Sequence, residues 1–355
     1  MSTFFARTSL RSLSTSWNAK DLFFIGVIAL LSLLLRLPSI AEPSRAVFDE
    51  AIYANNAIRI VEGVPWIDPH PYFARSLFAT IAGEFPFQTT AIEWRTNAPF
   101  EDFPYLPLRF LMAFFGTLLP VLLYAIGRGL GLAPPWASVA GVLAAIEPGF
   151  VIFSRIMVPD MMLLAFGFAG IALALAGAEA TDRRVRIACA VLAGACFGAA
   201  IATKWTALGL LATGIFALLL ARRFVSAAGV AATALGVYVA AFVWFFSAFP
   251  MGGHPEPVVT SLFPKNGMEI MLPGDRSQTL QAIFDLHTAM FLINDSDDYT
   301  RTIAPSPHPL TWSLGLAKLP LWLSDDGTRQ ITLAGNPILW TLALIAFLLA
   351  LVAAG

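Results

Sequence analysis

Val225-Ser-Ala-Ala-Gly-Val-Ala-Ala-Thr-Ala-Leu-Gly-Val-Tyr-Val-Ala-Ala-Phe-Val-Trp-Phe-Phe-Ser-Ala248 runs 24 residues without a charge. About 20 apolar residues in helical form cross roughly 30 Å of hydrocarbon, so this stretch reads as a membrane span. The same reading extends to the whole chain. Of 355 residues, 57% are hydrophobic and 13% are charged, and the mean hydropathy is +0.73. Soluble domains carry about 25% charged residues. This composition excludes disordered, nucleic-acid-binding and ordinary cytosolic enzyme classes and points to an all-α polytopic membrane protein.

Eight spans are expected, at about 21–40, 107–127, 135–153, 158–178, 187–202, 205–221, 225–248 and 336–355, within a single domain over 1–355. The fifth and sixth share the polar interruption Thr203-Lys204. No signal-peptide cleavage site precedes the first, which reads as an uncleaved anchor. The chain stops at Gly355, at the end of the eighth span and without flanking charges, so a truncated C-terminus is expected. Two long polar segments remain, 41–106 and 249–335.

Charge placement orients the spans. The N-terminal tail and short connections carry Arg7, Arg11, Lys20, Arg128, Arg183, Arg184, Arg186, Arg222 and Arg223 against Asp21, Glu179 and Asp182. An excess of Lys and Arg marks the cytoplasmic side. The N-terminus is therefore expected inside, and the two long segments, with nine acids each, outside. In a bacterium this is the inner membrane. Cys189 and Cys196 fall in one apolar segment, two helical turns apart, and read as small buried residues beyond disulfide reach. Four histidines and no Cys/His cluster give no case for a metal site.

The charges near the membrane surface are the candidates for chemistry. Asp49-Glu50 follows the first span closely. An adjacent carboxylate pair suits proton abstraction or a cationic ligand; acids in the first turn of a helix are the bland alternative. Asp68, His70 and Arg75 follow in a Pro-rich approach to an apolar stretch, Ser76–Ala82, that reads as an interfacial helix. A lone His70 is more often structural than a ligand. Arg109, Arg155, Asp160 and Lys204 sit inside or at the ends of apolar segments, where charge is costly and faces a cavity or a partner. Arg155 and Asp160 are expected to have separate partners. Glu147, another such acid, is expected to neutralise one of the cations. Interhelical pairing or snorkelling is the alternative for all of them.

In register with this topology, a family resemblance emerges. Phe48-Asp49-Glu50…Tyr53, then Asp68-Pro-His70-Pro71 and Arg75, resembles the first external loop of the protein O-mannosyltransferase family. Arg109 with Gly116, Ser154-Arg155…Asp160, Thr203-Lys204-Trp205, Asp285-Leu-His287 with Asp298-Tyr299, and Gly335-Asn-Pro337 resemble further elements of that family in order. Tyr72 stands where the family has a second proline, Arg75 where it has lysine, and Asp298-Tyr299 where it has His-Pro-Tyr. The resemblance implies a GT-C-type multi-span fold with two long external loops and about three further spans after Gly355. It also implies glycosyl transfer from a polyprenyl-phosphate sugar to a hydroxyl, most often Ser/Thr of an exported protein, and frequent dimers.

The residues fit that chemistry. The attacking hydroxyl must lose a proton, and Asp49 is the expected base, with Glu50 positioning the acceptor or a cation. The phosphate leaving group needs cations more than a general acid. Arg75, Arg109, Arg155 and Lys204 are expected to bind it, with His70, Asp68 and Asp160 in the surrounding site. The expected outcome is a single inverting displacement that requires neither metal nor another cofactor. The partners are then the lipid-linked donor, the acceptor and membrane lipid, and no nucleic acid. Two alternatives stay open. One is a lipid or glycan acceptor, as in lipid A aminosugar transferases. The other is a transporter using intramembrane charges, against which stand the lack of an internal repeat and the clustering of charge toward one face. The long segment 249–335, with Gly252–Pro255, His287 and the acidic run Asn294–Asp298, is expected to be folded and to cover the site or hold the acceptor.

Overall fold

The computed structural model describes residues 17–64, 68–248, 258–259, 269–270, 279–294, 311 and 317–354. Arg7, Arg11, Gly252–Pro255, Asp298-Tyr299 and Gly355 lie outside the described residues.

Helix α1 covers Ala19–Arg36. It stops short of residue 40 because Pro38 cannot continue a helical hydrogen-bond ladder. Two short helices follow, α2 (Glu50–Val61) and α3 (Phe73–Gly83). Helix α4 (Tyr105–Gly129) is closed by Gly131, whose φ of +86° a side chain would resist. The expected span 135–153 is broken in two, α5 (Pro134–Ile146) and α6 (Pro148–Phe153). Glu147 between them is extended at ψ 118°, as a residue preceding proline prefers. Helix α7 is Asp160–Glu179, and α8 (Arg183–Ile201) begins where the Asp182 side chain accepts the Arg184 amide. Thr203-Lys204 interrupts the helical run as expected. A 3₁₀ turn at Trp205–Ala207 then leads into α9 (Leu208–Leu220), followed by α10 (Phe224–Ala248).

The second long segment contains β1 (Val258–Val259) antiparallel to β2 (Glu269–Ile270), α11 (Thr279–Asn294), and a hairpin of β3 (Lys318–Leu323) and β4 (Gln330–Ala334). The hairpin pairs Leu319 with Leu333 and Leu323 with Gln330, with an irregularity between Pro320 and Trp322. Helix α12 (Pro337–Ala354) follows. Helices α4, α7, α8 and α10 are long and apolar enough to cross a membrane.

The chain forms two compact units. The first takes in the chain up to Leu34, Phe115–Ala145 and Pro159–Phe242. Its core joins Ile171 and Ala174 of α7, Ala193 and Phe197 of α8, Leu218 of α9, and Val230 and Ala234 of α10. In a bilayer, lipid is as apolar as leucine, so helices associate by close packing, with small residues at the contact. Phe197 shows this. A Cβ added at Gly170 or Gly214 would lie 2.7 or 2.5 Å from its ring, so the phenyl group needs both glycines. Elsewhere in this unit the Asp21 carboxylate accepts Tyr124 Oη and Arg128 Nε, each at 2.6 Å, tying α1 to α4.

The second unit takes in Leu35–Phe114, Ile146–Val158 and the chain from Val243 on. Here α2 and α3 pack together, with the Tyr53 and Phe78 rings edge to face at 6.0 Å. Tyr72 lies against Phe245 at 4.5 Å. Most of the candidate residues belong to this unit.

Candidate functional site

The loop after α1 turns sharply at Phe48, whose φ is +54°. A bulky side chain seldom adopts this conformation. The turn places Asp49 as the residue capping the start of α2, with φ −79° and ψ 4°, and the Asp49 side chain makes no capping hydrogen bond. Asp49 is half-buried, whereas its neighbour Glu50 has no exposed surface.

The Glu50 carboxylate is fully engaged. Its Oε1 accepts Arg109 Nε at 2.8 Å and the Met157 amide at 2.6 Å. Its Oε2 accepts Arg109 Nη2 at 2.7 Å and the Val47 amide at 2.8 Å. Arg109 is saturated in turn. Beyond Glu50, it donates to the Ile40, Pro43 and Arg45 carbonyls at 3.2, 2.8 and 3.2 Å. A guanidinium has five N–H groups, and all five are used within this loop. Glu50, expected to position the acceptor or a cation, thus lies against the Arg109 guanidinium. Arg109, expected at the phosphate, instead holds Glu50 against the 40–45 turn.

Arg75 is similarly occupied. It is buried and meets Asp68 at 2.5 Å, donates to Pro71 O at 2.9 Å, and lies 5.3 Å over the Tyr53 ring. Asp68 also accepts the His70 amide at 3.0 Å and Asn56 Nδ2 at 3.2 Å. The Asp68-Pro-His-Pro run is thus a hydrogen-bonded turn built around the Arg75 charge, and His70 at its tip is half-buried. Burial, and then the adjacent Asp68 carboxylate, push the Tyr72 phenol above its ordinary range.

Arg155 is half-buried, and its guanidinium contacts are main-chain carbonyls: Leu35 and Arg36 through Nη1 at 3.3 and 3.4 Å, and Ser39 through Nη2 at 3.2 Å. Desolvation, and then the Arg109 charge, depress its affinity for a proton. An anion beside it would relieve both effects. Ser154 next to it accepts Arg36 Nε at 3.1 Å, a buried link that sequence reasoning missed.

Asp160 and Lys204 belong to the other unit and pair with each other, Lys204 Nζ reaching both carboxylate oxygens at 3.0 and 3.1 Å. The expectation of separate partners for Arg155 and Asp160 holds. Glu147, expected to neutralise a cation, instead accepts Trp340 Nε1 at 3.2 Å and the Asn336 amide at 3.4 Å. It thereby ties the Gly335-Asn-Pro motif to α6. His287 bonds within α11 to Ile283 O.

Two further residues, Asn97 and Trp322, complete the loop around Asp49, and neither was legible in the sequence. Asn97 accepts Trp322 Nε1 at 2.9 Å and donates to Asp325 at 2.5 Å. The sequence signal nearest to them is Asp326-Gly327, a turn between apolar stretches. Among the described residues, no group of three or more His, Cys, Asp or Glu is placed to hold a metal ion.

Comparison with known proteins agrees with the motifs. The dolichyl-phosphate-mannose-protein mannosyltransferase family profile matches residues 26–252. Dolichyl-phosphate-mannose--protein mannosyltransferase 1 of Saccharomyces cerevisiae is 28% identical over 163 residues, 44% of this chain and 19% of that protein. The polyprenol-phosphate-mannose--protein mannosyltransferase of Corynebacterium glutamicum is 27% identical over 168 residues, 42% of this chain and 29% of that protein. The chain thus spans between about a fifth and a third of the length of these relatives. The structure of the S. cerevisiae protein O-mannosyltransferase Pmt1-Pmt2 complex bound to the sugar donor superposes with a TM-score of 0.55 at 24% identity, over 69% of this chain and 36% of that one, and shares its fold. With the family profile covering more than half of its residues, this chain belongs to the dolichyl-phosphate-mannose-protein mannosyltransferase family.

Proposed function

We propose that this chain carries the donor-side chemistry of a lipid-linked mannosyl transfer. A Ser/Thr hydroxyl of an exported protein attacks the anomeric carbon of polyprenyl-phosphate mannose. Asp49 takes the hydroxyl proton as the new C–O bond forms. The sugar–phosphate bond breaks, and the polyprenyl phosphate leaves with the bonding pair. The sugar carbon is inverted, and Asp49 then returns its proton to water. The loop of Asp49 faces the external side, opposite the Arg-rich connections.

The observation that carries this reading is the division of labour in the carboxylate pair. Glu50 is saturated by four donors and solvent-inaccessible, while Asp49, one residue earlier, is half-exposed at the start of α2. A base must be reachable by the proton it abstracts. On the leaving-group side, Arg155 alone among Arg75, Arg109, Arg155 and Lys204 has no carboxylate partner among the described residues. Its charge is available to a phosphate.

Membranes carrying the full-length protein should transfer radiolabelled mannose from polyprenyl-phosphate mannose to a Ser/Thr-containing peptide. Asp49→Asn should reduce kcat by about 10²–10⁴-fold at unchanged protein level. Undiminished transfer by Asp49→Asn would overturn the assignment of the base. Label recovered in lipid rather than peptide would move the acceptor to that class.

A further inference from the structure

The carbonyl of Leu321, in strand β3, accepts the amide of Phe48 at 3.0 Å. Phe48 is the residue with φ +54° immediately before Asp49. A non-glycine residue holds such a conformation only where its surroundings over-determine it, and such residues cluster at working sites. The hairpin supplies a second hold. Trp322, next to Leu321, donates its indole N–H to Asn97, which also bonds Asp325 in the turn beyond β3. Asn97 is itself in the left-handed region at φ +68°, which asparagine tolerates. Its amide donates to Ala46 O at 2.7 Å, and the Ala46 amide donates back to Ala98 O at 2.8 Å. The loop bearing Asp49 is therefore gripped at Ala46 and at Phe48, and both grips end on one hairpin. The Phe48 ring, edge-on to Phe153 at 6.3 Å, closes the arrangement.

We infer that the β3–β4 hairpin is a brace for the base. Through Leu321 O and the Trp322–Asn97 bond it fixes the turn at Phe48 and so sets the direction in which Asp49 projects. Trp322 and Asn97 are positioning residues, acting through the main chain of residues 46–49. The inference rests on Asp49 being the base.

The test uses the full chain in detergent, with two readouts. Hydrogen exchange at the Phe48 amide reports the grip and needs no substrate. Steady-state transfer reports its effect. Trp322→Phe keeps the ring and deletes the donor, and Asn97→Ala deletes both side-chain bonds. Each should speed exchange at Phe48 at least about tenfold and lower kcat about tenfold, with KM for the donor within twofold, as misplacement of a catalytic group does. The double variant should be no worse than Asn97→Ala alone, since both remove one linkage. The exchange of partners, Asn97→Asp with Asp325→Asn, preserves the acceptor for Trp322 and should restore both readouts. Should Asn97→Ala fail to fold, Trp322→Phe and the partner exchange still decide. A Phe48 amide that stays protected in Trp322→Phe overturns the brace, as does a raised KM with unchanged kcat. An inactive wild type overturns the functional reading instead, and exchange then still decides the brace.

Discussion

Arg109 and Glu50 meet through two charge-assisted hydrogen bonds, Nε at 2.8 Å and Nη2 at 2.7 Å, with neither side chain exposed to solvent. Removing one member of such a pair strands a buried charge, at a cost of about 3–5 kcal/mol. Glu50→Gln and Arg109→Met should each lower the midpoint of thermal unfolding in detergent by many degrees. Unfolding is readily followed with a dye that reacts with the free thiols of Cys189 and Cys196. Asp49→Asn should leave that midpoint unchanged. A loss of activity in Glu50→Gln with full stability would instead make Glu50 a participant in the reaction.

Lys204 and Asp160 are 18% and 34% exposed in their side chains, so the pair is only partly buried. Their coupling should be modest, about 1 kcal/mol. A cycle of Asp160→Asn, Lys204→Met and the double variant measures it by thermal unfolding. A double variant as active as wild type would confine the pair to a structural role. Activity lost with Lys204→Met but kept with Asp160→Asn would give Lys204 a substrate contact of its own.

The hairpin turn should respond to acid. Hydrogen bonds from Ser324 Oγ and from Thr328 hold the Asp326 carboxyl at about 2, below its ordinary 3.8. A depressed folded value stabilises the hairpin at every pH above the ordinary value. That contribution is lost as pH falls from 3.8 toward about 2. Pepsin cleavage within 318–334 should therefore accelerate across this window in the wild type. Asp326→Ala should flatten the dependence, and an equally steep profile in that variant would place the acid response elsewhere.

In the first unit, Gly170→Ala pushes a methyl group into the Phe197 ring, 2.7 Å away. Overpacking of this kind costs about 1–3 kcal/mol. Phe197→Leu, combined with Gly170→Ala, should recover part of the loss. Additive destabilisation in the double variant would show that the ring and the glycine do not share one contact.

The helices were legible because apolar length and proline are local signals. The break at Glu147-Pro148 was also written in the sequence, and only the run of hydrophobic residues across it suggested one continuous span. Partnership was not legible. Nothing local says that Glu50 meets a residue 59 positions on, that Asp160 meets Lys204 44 positions on, or that Glu147 turns to Trp340. Charge counting located the expensive groups without pairing them. Hence four cations looked equivalent, when Arg75, Arg109 and Lys204 each meet a carboxylate and Arg155 meets main-chain carbonyls. The hairpin escaped because Pro320 interrupts its first strand, and proline within a run argues against a strand.

The bond between Asn97 and Trp322 spans 225 residues. At about 5–20 residues per second of synthesis, the loop that bears Asp49 waits roughly 10–50 s for its second support. An emerging chain therefore exposes the carboxylate long before it is aimed. The loop gains its hairpin contacts only once the segment ahead of the final described helix has been made and has folded back. A ribosome-bound or prematurely terminated chain would present the Asp49 loop without the Trp322 support.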